Sequence, residues 1–176
     1  SFGFLPFDKV RDKDSPASIC LICEIAAWAK DNGMTLYDLL MQIYLDYGFQ
    51  KEKAVSVVKP GKSGADEIKA MMEGFRANPP KELGGSKVKV AKDFKTLKQT
   101  CMESGKVSDI DMPATSNVLQ YFTEDGVKVS VRPSGTEPKI KFYCEVPAEM
   151  KAKGDYNAAC AAAEDKLKKI CTSLGI

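Results

Sequence analysis

Apolar positions near the start of the chain recur at helical spacing. Ile19, Ile22, Cys23, Ala26 and Ala29 fall on one stripe, and Leu39, Leu40, Ile43 and Leu45 form a second. Asp14-Ser15-Pro16 supplies a cap-type residue with Pro in the first turn, and Gly33 stops the run, so a helix is predicted from there to about Asn32. Thr35 with Asp38 resembles a capping box that opens a second helix, which Gly48 ends. The two helices form an antiparallel pair with no strands of their own, so they need another surface to cover.

Beyond the polar joint Lys51–Lys53 the pattern changes. Ala54–Val58 is short and β-branched and reads as a strand. A helix from about Ala65 to Arg76 carries Ile68, Met71, Met72 and Phe75 on one face. Ser86–Asp93 alternates through Val88 and Val90. Residues 94–106 are charged, with only Leu97 and Cys101 of note, and read as a loop with a short helical turn. Val118–Thr123 and Val127–Val131 flank an Asp125-Gly126 hairpin signal. Ile140–Val146 is a further strand, and a helix rich in Ala and Lys closes the chain from about Asp155 to Leu174. The sum is an α+β fold: an antiparallel sheet of four or so strands with helices on one face. It divides into a helical segment, residues 1–50, and a mixed domain, residues 51–176.

The 176 residues allow one sizeable domain, or a small one plus part of another. With 44% apolar and 28% charged residues, a packed core is expected. A net charge of +2 implies no broad field for nucleic acid or a membrane, so any anion must be held by local clustering. No apolar run approaches the roughly 20 residues of a membrane span, and no signal peptide opens the chain. The start at Ser-Phe-Gly-Phe, without Met, suggests a fragment. A cytoplasmic setting is expected, with neither nucleic acid nor membrane as partner.

The chain has no histidine, which removes Ser-His-Asp and Cys-His catalysis and His-ligated metals together. Its six cysteines read as reduced core residues. Cys20-x-x-Cys23 lacks the second knuckle of a zinc site and lies in an apolar helical run. Lys62-Ser63 lacks the glycine spacing of a phosphate-binding Walker loop. No metal site is expected.

The densest chemistry lies in Val131-Arg132-Pro133-Ser134-Gly135-Thr136-Glu137-Pro138-Lys139-Ile140-Lys141. Gly135 can let backbone N–H groups turn inward, Ser134 and Thr136 add hydroxyls, and Arg132 adds a bidentate fork. Pro133 and Pro138 bracket and stiffen the turn. Arg132, Lys139 and Lys141 against Glu137 leave a local charge of +2. Alternation puts Lys139 and Lys141 on one strand face. These residues fit either a clamp for a dianion or a tight hairpin with solvated basic residues.

The literal string Arg-Pro-Ser-Gly-Thr-Glu-Pro, ahead of Lys-Ile-Lys-Phe-Tyr, resembles the phosphate-binding loop of the α-D-phosphohexomutase family (phosphoglucomutase/phosphomannomutase). Ser1-Phe2-Gly3-Phe4, followed by Arg11-Asp12-Lys13-Asp14, resembles the tail of that family's sugar-recognition loop and its later basic-acidic element. The resemblance implies four domains in the whole protein, of which this chain would hold the end of domain three and all of domain four, with a TATA-binding-protein-like fold in the latter. It implies phosphate ligands at Arg132, Ser134, Gly135 and Thr136. Lys141 falls where many members have an Arg, and would act as a point charge. Ser1 matches the serine of the sugar loop, without its two preceding acids. Lys13 matches a lysine that faces the reacting centre, its alternative being an ion pair with Asp12 or Asp14. Arg11 is less well matched.

The family moves a phosphoryl group between C1 and C6 of a hexose through a bisphosphate. The resemblance therefore implies a hexose phosphate or bisphosphate as partner, together with the remainder of the polypeptide. Mg²⁺ and the catalytic serine belong to other domains, so no cofactor is expected in this chain and it should be inactive alone. The rival reading is a non-enzymatic anion-binding module for nucleic acid or phosphopeptides. That reading needs aromatics interleaved with basic residues, and only Phe142 and Tyr143 lie near the loop. If residues 1–50 lack their own sheet, they should expose apolar surface and favour self-association or partial disorder.

Overall fold

The computed structural model describes residues 3–9, 11–61 and 63–176. Helix α1 (Ser15–Asp31) starts where the pattern predicts: Asp14 Oδ1 accepts from the Ala17 N–H at 3.0 Å, with Pro16 in the first turn. Helix α2 (Leu36–Tyr47) opens on a reciprocal box. Thr35 Oγ1 accepts from the Asp38 N–H at 3.1 Å, and the Thr35 N–H donates to Asp38 Oδ2 at 3.0 Å. Hydrogen bonds from the Thr35 hydroxyl and backbone, with Lys153 beyond them, bring the Asp38 carboxyl down to about 2.

After α2 come β1 (Phe49–Val58), α3 (Gly64–Ala77), β2 (Glu82–Leu83), β3 (Ser86–Asp93), β4 (Lys98–Cys101), β5 (Val107–Asp109), β6 (Leu119–Thr123), β7 (Lys128–Pro133), β8 (Lys139–Ala148) and α4 (Tyr156–Leu174). The strands form one antiparallel system in the order β1-β8-β7-β6-β3-β4-β5, with β2 attached to β3. The sheet thus has eight strands, not the four or so expected.

The strands absent from the sequence reading, β2, β4 and β5, are short. β4 lies inside the segment 94–106 read as a loop and pairs with β5 just beyond it in a polar hairpin, and every residue of β5 is exposed. Without a buried face there is no alternation to read. β2 owes its two residues to a tight turn at Gly84-Gly85, both at positive φ. A Cβ on Gly84 would lie 2.8 Å from the Ile170 side chain, so α4 seats directly on this turn. β1 is also longer than predicted. The supposed joint Lys51–Lys53 pairs with Lys53↔Cys144 through Lys51↔Val146, and the strand begins at buried Phe49.

One face of the sheet carries the core. Leu119, Tyr121, Val129, Val131, Ile140, Phe142, Cys144 and Val146 alternate inward and meet Ile68 and Met72 of α3 and Ala163, Leu167 and Ile170 of α4. Phe75 packs edge-on against Phe142 with centroids 5.8 Å apart, and the Tyr121 hydroxyl donates to the Phe75 carbonyl at 3.0 Å. Both helices therefore cover the same face, as expected from the sequence. The opposite face carries mostly polar side chains, with Phe122 and Tyr143 among them.

Helix α2 is joined to this body through aromatic contacts, Tyr44 with Phe49 at 4.9 Å and Tyr44 with Tyr156 at 6.2 Å, and by Lys153–Asp38 at 3.1 Å. Across α1 and α2 only Ala29 and Met41 are buried, while Ile19, Ile22, Trp28, Tyr37 and Ile43 are exposed. The reading of reduced core cysteines holds for Cys144 and fails on α1 for the same reason. Cys20 and Cys23 lie exposed on α1, and only Cys144 is buried. No helix is long and apolar enough to cross a membrane among the described residues.

Candidate functional site

Strands β7 and β8 converge on the loop Ser134–Pro138. The Ser134 N–H donates to the Lys139 carbonyl at 2.8 Å, which closes the hairpin, and the Lys139 N–H donates to Glu137 O at 2.7 Å. From outside, the Lys59 N–H donates to the Pro138 carbonyl at 2.9 Å and ties the loop to the end of β1. The loop is held at both ends while its tip stands free. Gly135, Thr136 and Glu137 are exposed. Among the described residues the Gly135 N–H donates to no protein acceptor, and the Thr136 N–H reaches Ser134 Oγ only at 3.5 Å.

Gly135 does not adopt a left-handed φ, and a Cβ built on it would meet nothing within 4 Å. The loop's own geometry gives no reason for glycine here. Closeness of an approaching group to the backbone would give one.

Register fixes the cations. Arg132 is the direct cross-strand partner of Lys141, and Lys141 in turn pairs with Ser56 of β1. Val131 and Phe142 point into the core, so Arg132 and Lys141 stand together on the open face. Among the described residues neither forms an ion pair with a carboxylate. Lys139 lies on that same face and is paired with Glu137. Hydrogen bonding and charge from Lys139, with a further contribution from Lys141, hold the Glu137 carboxyl below its usual range.

On the other side of the loop lies a hollow of about 590 Å³, bordered by Pro133–Pro138 and by Ala65, Ile68, Lys69 and Met72 of α3, with Lys95 and Asn117 at its rim. The predicted residues are therefore brought together in part. Ser134, Gly135 and Thr136 border the hollow, whereas Arg132 and Lys141 meet the loop from the open face. Lys69, Lys95 and Asn117 come from distant segments, and no local pattern could have singled them out.

The remaining predicted residues fall elsewhere. Lys13 lies beside α1, its Nζ 2.7 Å from Asp12 Oδ1 and its stem against Gly3. It lines a separate hollow with Phe4, Asp14 and Ile19, which shares no residue with the one beside the loop. The ion-pair alternative is the arrangement seen. Arg11 is exposed, and Ser1 lies outside the described residues. Phe142 is fully buried against Phe75, and Tyr143 points the opposite way, so the loop has no interleaved aromatic pair of the kind the nucleic-acid reading needs. Among the described residues no group of three His, Cys, Asp or Glu could hold a metal ion.

Residues 80–163 match the family model of the phosphoglucomutase/phosphomannomutase C-terminal domain. Among curated proteins, the phosphoglucomutases of Staphylococcus haemolyticus (strain JCSC1435) and Staphylococcus aureus (strain MRSA252) are 38% and 41% identical to this chain over 143 residues. Each match covers 81% of this chain and 26% of the relative, so the chain spans about a quarter of their length. Among solved structures, the exocytosis-sensitive phosphoprotein pp63/parafusin, a phosphoglucomutase from Paramecium in its open form, aligns with a TM-score of 0.48 at 15% identity. That alignment covers 95% of this chain and 29% of the other.

Proposed function

Because this chain belongs to the phosphoglucomutase/phosphomannomutase family, we propose that it is the phosphate-holding end of a phosphohexomutase, acting in the cytoplasm. In this reading residues 1–50 are the last part of a sugar-binding domain and residues 51–176 are the domain that grips the substrate. The gripped group is the phosphate of a hexose phosphate or bisphosphate that is not being transferred.

The observation that carries the reading is the pair Arg132 and Lys141. Two like charges held opposite each other across a sheet repel, and a dianion placed between them turns that repulsion into attraction. The Gly135 N–H, without an acceptor among the described residues, and the Ser134 and Thr136 hydroxyls supply neutral donors in the loop that follows Arg132. Arg132 offers a planar fork to two phosphate oxygens, and Lys141 offers a point charge. Holding one end of the substrate fixes the other end for reaction elsewhere, a contribution from positioning rather than from bond making.

The Mg²⁺ implied by the family does not fit the donors described here, which include no cluster able to bind it. It would be held by other parts of the whole enzyme, and the chain alone is inactive. Lys13, Arg11 and Ser1 would contribute to the sugar side only in the company of those parts.

The test is a titration with glucose 6-phosphate followed through backbone amide shifts. Movement of Ser134, Gly135 and Thr136 that is lost in Arg132→Ala supports the reading. Signals that stay fixed at saturating ligand count against it, and a steep salt-dependent affinity for DNA would favour the nucleic-acid alternative.

A further inference from the structure

The open face beside the loop holds three cations, of which one is engaged in an ion pair and two have no carboxylate partner among the described residues. Lys139 is bound to Glu137, two residues away across the bend. Its backbone cannot drift, because its N–H and its carbonyl are both hydrogen-bonded within the loop, to Glu137 O at 2.7 Å and from the Ser134 N–H at 2.8 Å. Only its side chain is free to change partner. Strand alternation aims that side chain to the same face as Lys141, the neighbour of Arg132. The Glu137 side chain is well exposed, whereas that of Lys139 is mostly covered. The carboxylate therefore sits at the solvent side of the pair, where an incoming anion arrives first. It also lies in the field of both Lys139 and Lys141.

We infer that Lys139 is a third phosphate ligand held in reserve, and that the Glu137 carboxylate is an internal competitor occupying it until the substrate phosphate displaces it. This rests on the phosphate-holding reading above. The exchange makes and breaks no covalent bond. Lys139 trades a carboxylate oxygen for a phosphate oxygen, and Glu137 is released to water. Binding of a dianion thus proceeds against a fixed opposing contact. The two free cations set the baseline affinity, while Glu137 sets how much of Lys139 becomes available.

A double-mutant cycle tests this with glucose 6-phosphate as probe, read from amide shifts at residues 134–136 in the wild type, Glu137→Gln, Lys139→Gln and the double variant. Removing an exposed competing ion pair should tighten binding by about two- to fivefold in Glu137→Gln. Lys139→Gln should weaken binding. In the Lys139→Gln background the gain from Glu137→Gln should disappear, because there is no longer a contact to release.

A gain of equal size in both backgrounds would mean that Glu137 acts only through its charge at a distance, and would overturn the inference. So would a Glu137→Gln variant that binds no tighter than the wild type, while leaving the phosphate-holding reading intact. If the wild type and all three variants show no shift in the loop, that reading falls and the inference falls with it.

Discussion

Arg132 and Lys141 face each other directly across β7 and β8, two cations on one open sheet face with no carboxylate paired to either among the described residues. Four residues back along β7, beyond the Ser130–Tyr143 rung, Lys128 and Glu145 occupy the same kind of opposed position and form an ion pair at 2.8 Å. The same two strands thus neutralise one pair of opposed side chains and leave the pair by the loop charged. The contrast gives the pair by the loop opposite effects on stability and on binding.

Arg132→Gln should leave the folded state as stable as before, or more stable by up to about 0.5 kcal/mol, since a like-charge contact is relieved. The same change should weaken glucose 6-phosphate binding by about tenfold or more. Thermal denaturation in low-salt, phosphate-free buffer checks the first effect. A phosphate-dependent rise in Tm, present in the wild type and lost in the variant, checks the second.

Gly135→Ala separates folding from binding in another way. Its φ is ordinary and a Cβ would meet open space, so stability should stay within about 0.5 kcal/mol of wild type. If a phosphate oxygen approaches the Gly135 N–H, the added methyl should weaken binding. Equal affinity in wild type and variant, measured by calorimetry, would place the ligand away from this backbone.

Alkaline pH should unfold the domain through two buried groups. Burial, aided by Cys171, pushes the Cys144 thiol up to about 12 from 9.0, and burial pushes the Tyr121 phenol well above its ordinary 10.0. The unfolded chain releases both protons first. The stabilisation is therefore full below pH 9.0, starts to fall as Cys144 titrates in the unfolded chain, and falls faster above 10.0. Tyr121→Phe should remove the second phase and cost about 1 kcal/mol at neutral pH through loss of the bond to the Phe75 carbonyl. Urea midpoints across the alkaline range would show both effects.

Acid acts close by, at the β6–β7 turn beyond the rung of Tyr121, Val129 and Cys144. Burial opposes ionisation of Asp125, but hydrogen bonds from Lys166, Thr123 and Ser86 outweigh it and bring the carboxyl down to about 2 from 3.8. Lys166 Nζ lies 2.7 Å away, so the contact ties α4 to the β6–β7 turn. A lowered folded value means stability present above pH 3.8 that is lost as pH falls toward 2. Discounted for exposure, Asp125→Asn should cost about 1 kcal/mol at neutral pH and flatten the acid limb. A limb unchanged in slope would remove Asp125 from the account.

The exposed apolar residues of α1 and α2 should make the isolated chain self-associate. Replacing Ile19 and Ile22 by Lys should shift the mass measured by light scattering toward the monomer without altering helix content. An oligomer that survives the change would point to a different surface.

The long amphipathic elements were legible because each buries one face. Ile68, Met72 and Phe75 marked α3, and the alternation from Ile140 to Val146 marked β8. Gly33, Gly48 and the Thr35–Asp38 box placed helix ends for local chemical reasons. What escaped lacked such a face. β4 and β5 are paired through their backbones with little apolar side chain to announce it, and β1 begins with residues whose charge masks their pairing. The site was legible where its residues are consecutive. Arg132 opposite Lys141 required the register of two strands, and Lys69, Lys95 and Asn117 required the packing of α3 against the loop.

The ten-residue pairing of β1 with β8 has a consequence for how the molecule forms. β1 lies at the edge of the sheet and β8 is its sole strand partner among the described residues, and the register joins Phe49 to Ala148 and Val58 to Lys139. On the ribosome β1 emerges long before β8 exists, so it must remain unpaired while the rest of the sheet is being made. Closing so distant a contact is slow. The charges Lys51, Glu52 and Lys53 along this strand disfavour edge-to-edge association for as long as it stands unpaired.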